Sequence, residues 1–299
     1  MVSPINQDKA TMKKPLILLG MAALTSSCFF STSQEVELSY ENPESYTTYV
    51  ESTPVDLNPT EGKLTKLDIT WISGEVELAL GDKIHIEEKN ISGTYLPLCY
   101  WLNGSELHVQ YCSAGKHDIG PGGSQKKLMI TVPEVTESVE LYSISANIKG
   151  TIGSTESVET VSTSGSVSLK ATSILKMESN SVSGSLELET GKLGSLKNDT
   201  TSGSLTLAAQ TVENVEFNSI SGSLSSVIKD SADLKGIKAV TTSGSADITL
   251  DGKKGYDLQF ASSSGVKDLS FTVGTDASLS KFSLYFSSIS GSLTVKKAD

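Results

Sequence analysis

Ten times along the chain a small-residue pair recurs, nine times Ser-Gly and once Ser-Ala, and in most copies alternating apolar residues follow it. The second residues of these pairs are Gly74, Gly93, Ala146, Gly165, Gly184, Gly203, Gly222, Gly244, Gly265 and Gly291. Five successive copies, from Ala146 to Gly222, stand 19 residues apart, and the last three steps widen to 22, 21 and 26. A fixed period of this size marks a repeat architecture, in which one repeat cannot bury its apolar stripe alone and must stack on its neighbours.

Alignment on the pair exposes the stripe. Two residues after it stand Val76, Ile148, Val167, Leu186, Leu205, Leu224, Ala246 and Leu293, and four after it stand Leu78, Leu169, Leu188, Leu207, Ile248, Leu269 and Val295. Seven before it stand Leu67, Ile86, Val139, Val158, Met177, Leu196, Val215, Ile237, Leu258 and Leu284. Ten before it stand Leu64, Ile174, Leu193, Val212 and Leu234. Alternation at period 2 buries one face of a strand, so the chain is predicted to be all-β, a parallel β-solenoid with coils of about 19 residues. At ~4.8 Å per coil the copies from Ala146 to Gly291 make a rod roughly 35 to 40 Å long. The pair itself is expected to mark the bend between strands, with Gly supplying positive φ or close approach and Ser bonding backbone locally. Serines so repeated, without positioned histidines, do not make a nucleophile and base.

The front end has a different character. Met12, a natural start, leads into Lys13, Lys14, an apolar run from Pro15 to Leu24 and then Thr25, Ser26 and Ser27 before Cys28. These are the three regions of a secretory signal, and the run is shorter than the ~20 apolar residues a membrane span needs. The arrangement resembles the bacterial lipoprotein signal, which implies lipidation of Cys28 and a membrane anchor at the outer membrane of the envelope; Leu24 stands four residues before the cysteine rather than the usual three. Without residues 1–27 the chain keeps 21 basic and 34 acidic residues, a net charge of −13. All 24 basic residues are Lys. The bidentate guanidinium fork is therefore absent, which excludes nucleic acid as the expected partner.

The expected organisation is a signal over 1–27, a polar tether over 28–62 with a strand near Val36 to Tyr40, a β-rich region over 63–135 and the repetitive solenoid over 136–299. The region from 63 to 135 reads either as an early part of the solenoid, interrupted by an insertion before Ala146, or as a separate N-terminal β region. Asn103-Gly104 signals a hairpin there. That turn would set Cys99 near His108 and leave Cys112 four residues out of register, so a disulfide between Cys99 and Cys112, expected only outside the cytoplasm, needs a bulge. Cys99, Cys112, His108 and His117 lack closed zinc-site spacing, and no metal or cofactor is expected. His85 reads as a solvent-facing strand residue and His117 as part of a polar loop from Ser113 to Gln125.

Tyr46, Tyr49, Tyr100 and Trp101 are candidates for a contact surface, whereas Trp71 is placed in the β region. Phe217, Phe260 and Phe286 share the position five before the Gly and are expected to form a stacked ladder. Asp247, Asp251, Asp257 and Asp268, in the longer late coils, are the candidate carboxylates for carbohydrate chemistry or Ca²⁺, although neither paired-carboxylate geometry nor a repeated Ca²⁺ motif is legible. The last repeat ends at Val295 without a polar cap, so its strand edge is expected to lie open to a second copy.

The run Leu67-Asp68-Ile69 through Ser73-Gly74-Glu75-Val76-Glu77-Leu78, the strand Leu128-Met129-Ile130-Thr131-Val132-Pro133 and the Ser-Gly-Ser ladder resemble the bacterial putative-adhesin family of DUF4097 type and its DUF2807 relatives, over roughly residues 63 to 297. The resemblance implies a β-helix-like fold, export, an adhesive or envelope role and no catalytic residues. Three functions follow as expectations. The first is a non-enzymatic surface lipoprotein that adheres to a glycan or protein, the second a periplasmic structural protein and the third a carbohydrate-active β-helix enzyme.

Overall fold

The computed structural model describes residues 34–38, 47–48, 53–59, 63–89, 96–113, 115–119, 126–269 and 280–298. The signal segment, Cys28, Tyr46, Tyr49 and the Ser92-Gly93 pair lie outside them. Every element among the described residues is a strand, and none is a helix long and apolar enough to cross a membrane. The apolar ladders stack in register as the repeat requires. Ile148 pairs with Val167, Val167 with Leu186, Leu186 with Leu205 and Leu205 with Leu224, and Val139, Val158, Met177, Leu196 and Val215 align on the other leg of the coil. All are at most 5 % exposed and belong to one continuous core. The chain is a parallel β-solenoid.

Each coil has two legs joined at the Ser-Gly corner, and the corner glycines stack on one another. A Cβ built on Gly184 would stand 2.1 Å from the Gly165 carbonyl oxygen, and one on Gly222 would stand 1.7 Å from that of Gly203. Close approach of successive coils, rather than positive φ, is what these positions demand of glycine. Gly74 is the exception with φ +92°, and the one corner carrying a methyl group, Ala146, stacks directly on that coil.

Two ladders of hydroxyls flank the corner. From Gly165 to Gly291 the Ser or Thr three residues before each corner glycine bonds back to it. Ser162 Oγ donates to Gly165 O at 2.8 Å, and the Gly203, Gly222 and Gly244 amides donate to Thr200, Ser219 and Thr241 at 2.8 to 2.9 Å. The Ser after Gly165, Gly184, Gly203, Gly222, Gly244 and Gly291 accepts the amide of the equivalent residue one coil on, as from Ser204 to Ser185, Ser223 to Ser204 and Ser245 to Ser223. The local role expected of Ser is thus only part of its work: these side chains tie one coil to the next.

The order of coils in space departs from the order in sequence at both ends. The Gly291 coil lies between the Gly244 and Gly265 coils: Ala246 pairs with Leu293, and Leu293 with Lys267. The outermost described strands at this end are therefore Gly255–Ser262 and Lys267–Leu269, each paired on one side only, and Val295 is buried inside the stack. The expected open edge at the last repeat is corrected accordingly. The reason is visible two residues after the corner, where every interior coil needs an apolar side chain and the Gly265 coil has Lys267.

At the opposite end the Gly74 coil, Leu64–Trp71 and Glu75–Leu80, is a true coil, with Leu67 beside Val139 and Val76 beside Ile148. Its other neighbour is built from Glu106–Gln110 and Lys127–Val132. Lys126 occupies the corner place there, its carbonyl receiving the Glu75 amide at 3.0 Å. Antiparallel strands then close the end: Cys99–Asn103 on Glu106–Gln110, and Ile84–Lys89 on Lys127–Val132. Ile86, read from the repeat as a rung, lies in this closing strand opposite Ile130. The region from 63 to 135 is both the first coils and their cap.

Candidate binding face

The four candidate carboxylates do not converge. Asp247 and Asp268 occupy the same outward row two coils apart with Thr294 between them. Asp257 lies on the other leg, paired with Lys281 at 3.1 Å. Asp251 accepts a hydrogen bond from Ser231 at 2.5 Å. Among the described residues no group of three His, Cys, Asp or Glu side chains has metal-binding geometry. His117 does not sit in a loop: Gly115–Ile119 is a strand antiparallel to Gln34–Leu38, with His117 opposite Val36. His85 faces outward and meets Asp56 at 2.7 Å.

His108 is buried, approaches Asp68 at 3.2 Å and stacks on Trp101 with ring centroids 4.5 Å apart. Trp101 remains half-buried, while Tyr100, a candidate contact residue, is only 9 % exposed and belongs to the core. Phe260 stacks on Phe286 at 5.7 Å, but Phe217 is separated from them by Ala239, so the phenylalanine ladder is broken.

Cys99 and Cys112 are both buried and unbonded. The turn residues are Gly104 and Ser105, so Cys99 stands opposite Gln110 and Cys112 lies two residues beyond it. Cys112 stands past the end of the strand Glu106–Gln110, in a bend, so the hairpin register does not set the two thiols opposite each other. The candidate disulfide is thus not formed, and burial pushes the Cys112 thiol up to about 12.

Beside the thiols lies Lys126, whose ammonium is buried at the solenoid's end. It meets Glu88 at 2.5 Å, donates to the Leu96 and Tyr111 carbonyls at 2.6 Å and sits 4.0 Å from the Tyr111 ring centroid and 5.0 Å from that of Trp71. Burial lowers its affinity for the proton, and Glu88 opposes that shift. Sequence reading passes over this lysine because the residue type is ordinary on a surface; its place in the corner ladder is what buries it.

One outward face carries a trough of about 450 Å³ running along the rod. It lies between two rows of side chains, eight and six residues before the corner, and its floor is the backbone at Met177, Leu196, Val215 and Ile237. The first row shrinks to Ser195, Asn214, Gly236 and Ser283 over successive coils, which opens the channel. The second row carries Lys197, Glu216, Lys238 and Tyr285, with Gln259 at the end. The charges on its rim are matched in place: Lys176 with Glu178, Lys197 with Asp199 and Lys238 with Glu216, at 2.7 to 2.8 Å. The shrinkage of one row is legible in the repeat alignment; that it faces outward beside an intact row is not.

Three solved structures align with the chain. A "putative adhesin" from Bacteroides fragilis is 12 % identical, with 86 % of this chain and 98 % of that one covered and a TM-score of 0.48. A "putative lipid binding protein" from Parabacteroides distasonis is 14 % identical, with 83 % and 96 % covered and a TM-score of 0.42. A "putative cell adhesion protein" from Clostridium sporogenes is 12 % identical, with 82 % and 98 % covered and a TM-score of 0.23. No curated protein matches the chain significantly. The family model described as Toastrack DUF4097 matches residues 64–281, and the chain belongs to that family.

Proposed function

We propose that this protein is a non-enzymatic, exported lipoprotein that works as an adhesin-like binding rod at the bacterial cell surface. The observation that carries the reading is the outward trough, a continuous recess across successive coils. A rigid stack presents such a recess at fixed spacing, as solenoid proteins present extended binding surfaces. The signal-like segment ending at Cys28 supplies the anchor, and the polar stretch after it supplies reach. The net charge of −13 without residues 1–27 keeps the rod soluble and turns it from anionic surfaces.

Protease shaving of intact cells, with membrane fractionation of the wild type and of Cys28→Ser, tests this function. Loss of the wild-type chain on shaving, with release of Cys28→Ser from the membrane, is the expected result. Protection of a chain that is cleaved once the outer envelope is permeabilised overturns surface adhesion and moves the protein to the periplasm.

A further inference from the structure

We infer that the trough binds a neutral, hydroxyl-rich polysaccharide chain lying along the rod; this rests on the binding reading above and names its ligand class. Three features of the recess lead there.

The first is the division of labour among its polar groups. Every lysine on the rim is already matched to a carboxylate, so the recess offers no net charge to a polyanion or a polycation. By contrast, the side chains of Ser195, Asn214, Gln259, Ser283 and Tyr285 bond to no other described residue while lining the same recess. Neutral donors and acceptors left free beside internally satisfied charges suit hydroxyl groups. Half-buried Tyr285 adds an aromatic face with a polar tip.

The second is direction. The lining residues come from six adjacent coils, Lys176 to Gln259 in stacking order, which at ~4.8 Å per coil is about 24 Å of track. A linear polymer fills such a track, and each coil presents it with a similar place.

The third separates a glycan from a peptide. An extended peptide gains affinity by adding to a free strand edge, but five of the six strands beneath the trough, from Val167–Ser181 to Lys281–Ser288, are paired on both sides, and the one-sided strand, Gly255–Ser262, lies at the end of the track and runs across it. Along the track the ligand meets side chains, which favours one recognised through its hydroxyls.

Affinity electrophoresis of the purified chain tests the inference, with mixed-linkage β-glucan, galactomannan and starch as neutral probes and alginate and heparin as polyanions. Ser195→Trp fills the trough from an outward position, Tyr285→Ala removes the aromatic face, and Thr206→Trp, exposed on the opposite leg, is the control; thermal melting by circular dichroism verifies that each variant folds. At least one neutral polysaccharide is expected to retard the wild type and Thr206→Trp, with apparent Kd raised tenfold or more in Ser195→Trp and Tyr285→Ala, and with no retardation by the polyanions. Failure of all three neutral probes, retardation by the polyanions alone, or undiminished binding by a folded Ser195→Trp overturns the inference. Because shaving is read on cells, a surface-exposed chain that ignores all glycans sinks the ligand class and spares the adhesive role, whereas a glycan-binding chain held in the periplasm does the reverse.

Discussion

A Cβ placed on Gly203 would stand 2.0 Å from the Gly184 carbonyl oxygen, which is backbone and cannot swing aside. Gly203→Ala must therefore push two coils apart, and overpacking of that kind costs about 3 kcal/mol; a fall in the urea midpoint of unfolding at unchanged slope is the expected outcome. Cys112 offers a second residue-scale test. Its folded pKa, about 12, lies above the ordinary thiol value of 9.0, so the folded state holds the proton after the unfolded chain has released it. The stabilisation is fully present below pH 9 and is lost as pH rises toward 12, which across two pH units is about 2.7 kcal/mol. Under reducing conditions, Cys112→Ala is expected to lose less stability between pH 8 and pH 11 than the wild type, and parallel curves would show that the thiol does not titrate as described.

The transposed coils can be tested at the scale of single strands. Outward residues paired on adjacent parallel strands stand ~4.8 Å apart, within disulfide reach, and those two coils apart do not. In the structure Asp247 pairs with Thr294, and Thr294 with Asp268. Asp247→Cys with Thr294→Cys is therefore expected to oxidise to a disulfide, whereas Asp247→Cys with Asp268→Cys stays reduced; the reverse pattern, read by non-reducing mass spectrometry, would restore the sequential order. At the cap, Lys126 and Glu88 form a buried ion pair. Removing one partner strands a buried charge at a cost of about 3 to 5 kcal/mol, while replacing both by apolar residues of similar size is close to neutral. Lys126→Met is thus expected to be far less stable than Lys126→Met with Glu88→Leu in urea unfolding.

The whole rod is a ladder of corners running from Lys126 through Gly74, Ala146, Gly165, Gly184, Gly203, Gly222, Gly244 and Gly291 to Gly265. Its two ends are unequal. The Lys126 end is closed by antiparallel strands. At the Gly265 end Gly255–Ser262 is paired on one side among the described strands, Leu258 and Phe260 are only partly buried, and Val266 is 68 % exposed. A parallel edge unpaired among the described residues invites pairing with a second chain. Self-association is expected through this end, so that light scattering gives a mass rising with concentration and Val266→Lys suppresses the rise; a strict monomer at high concentration would argue against it.

Much of this is legible in the amino-acid sequence. The 19-residue period and the apolar rows placed Val167, Leu186, Leu205 and Leu224 on one ladder, because a period-2 stripe repeated at constant spacing leaves stacking as the only way to bury it. The class of fold follows from that local argument. What tertiary structure decided concerns residues whose meaning depends on a neighbour far away in sequence. Lys126 and Gly74 share a rung although Lys126 belongs to no Ser-Gly pair, and an isolated lysine in sequence carries no sign of burial. The Gly291 and Gly265 coils carry interchangeable apolar residues at Leu284 and Leu258 and at Phe286 and Phe260, so those ladders do not order them; Lys267, the one charged residue at an otherwise apolar rung, decides it, because only an end coil leaves its ammonium in water. The trough, likewise, is a row of small side chains in the sequence and becomes a recess only when the coils bring Ser195, Asn214, Gly236 and Ser283 into line beside Lys197, Glu216, Lys238 and Tyr285.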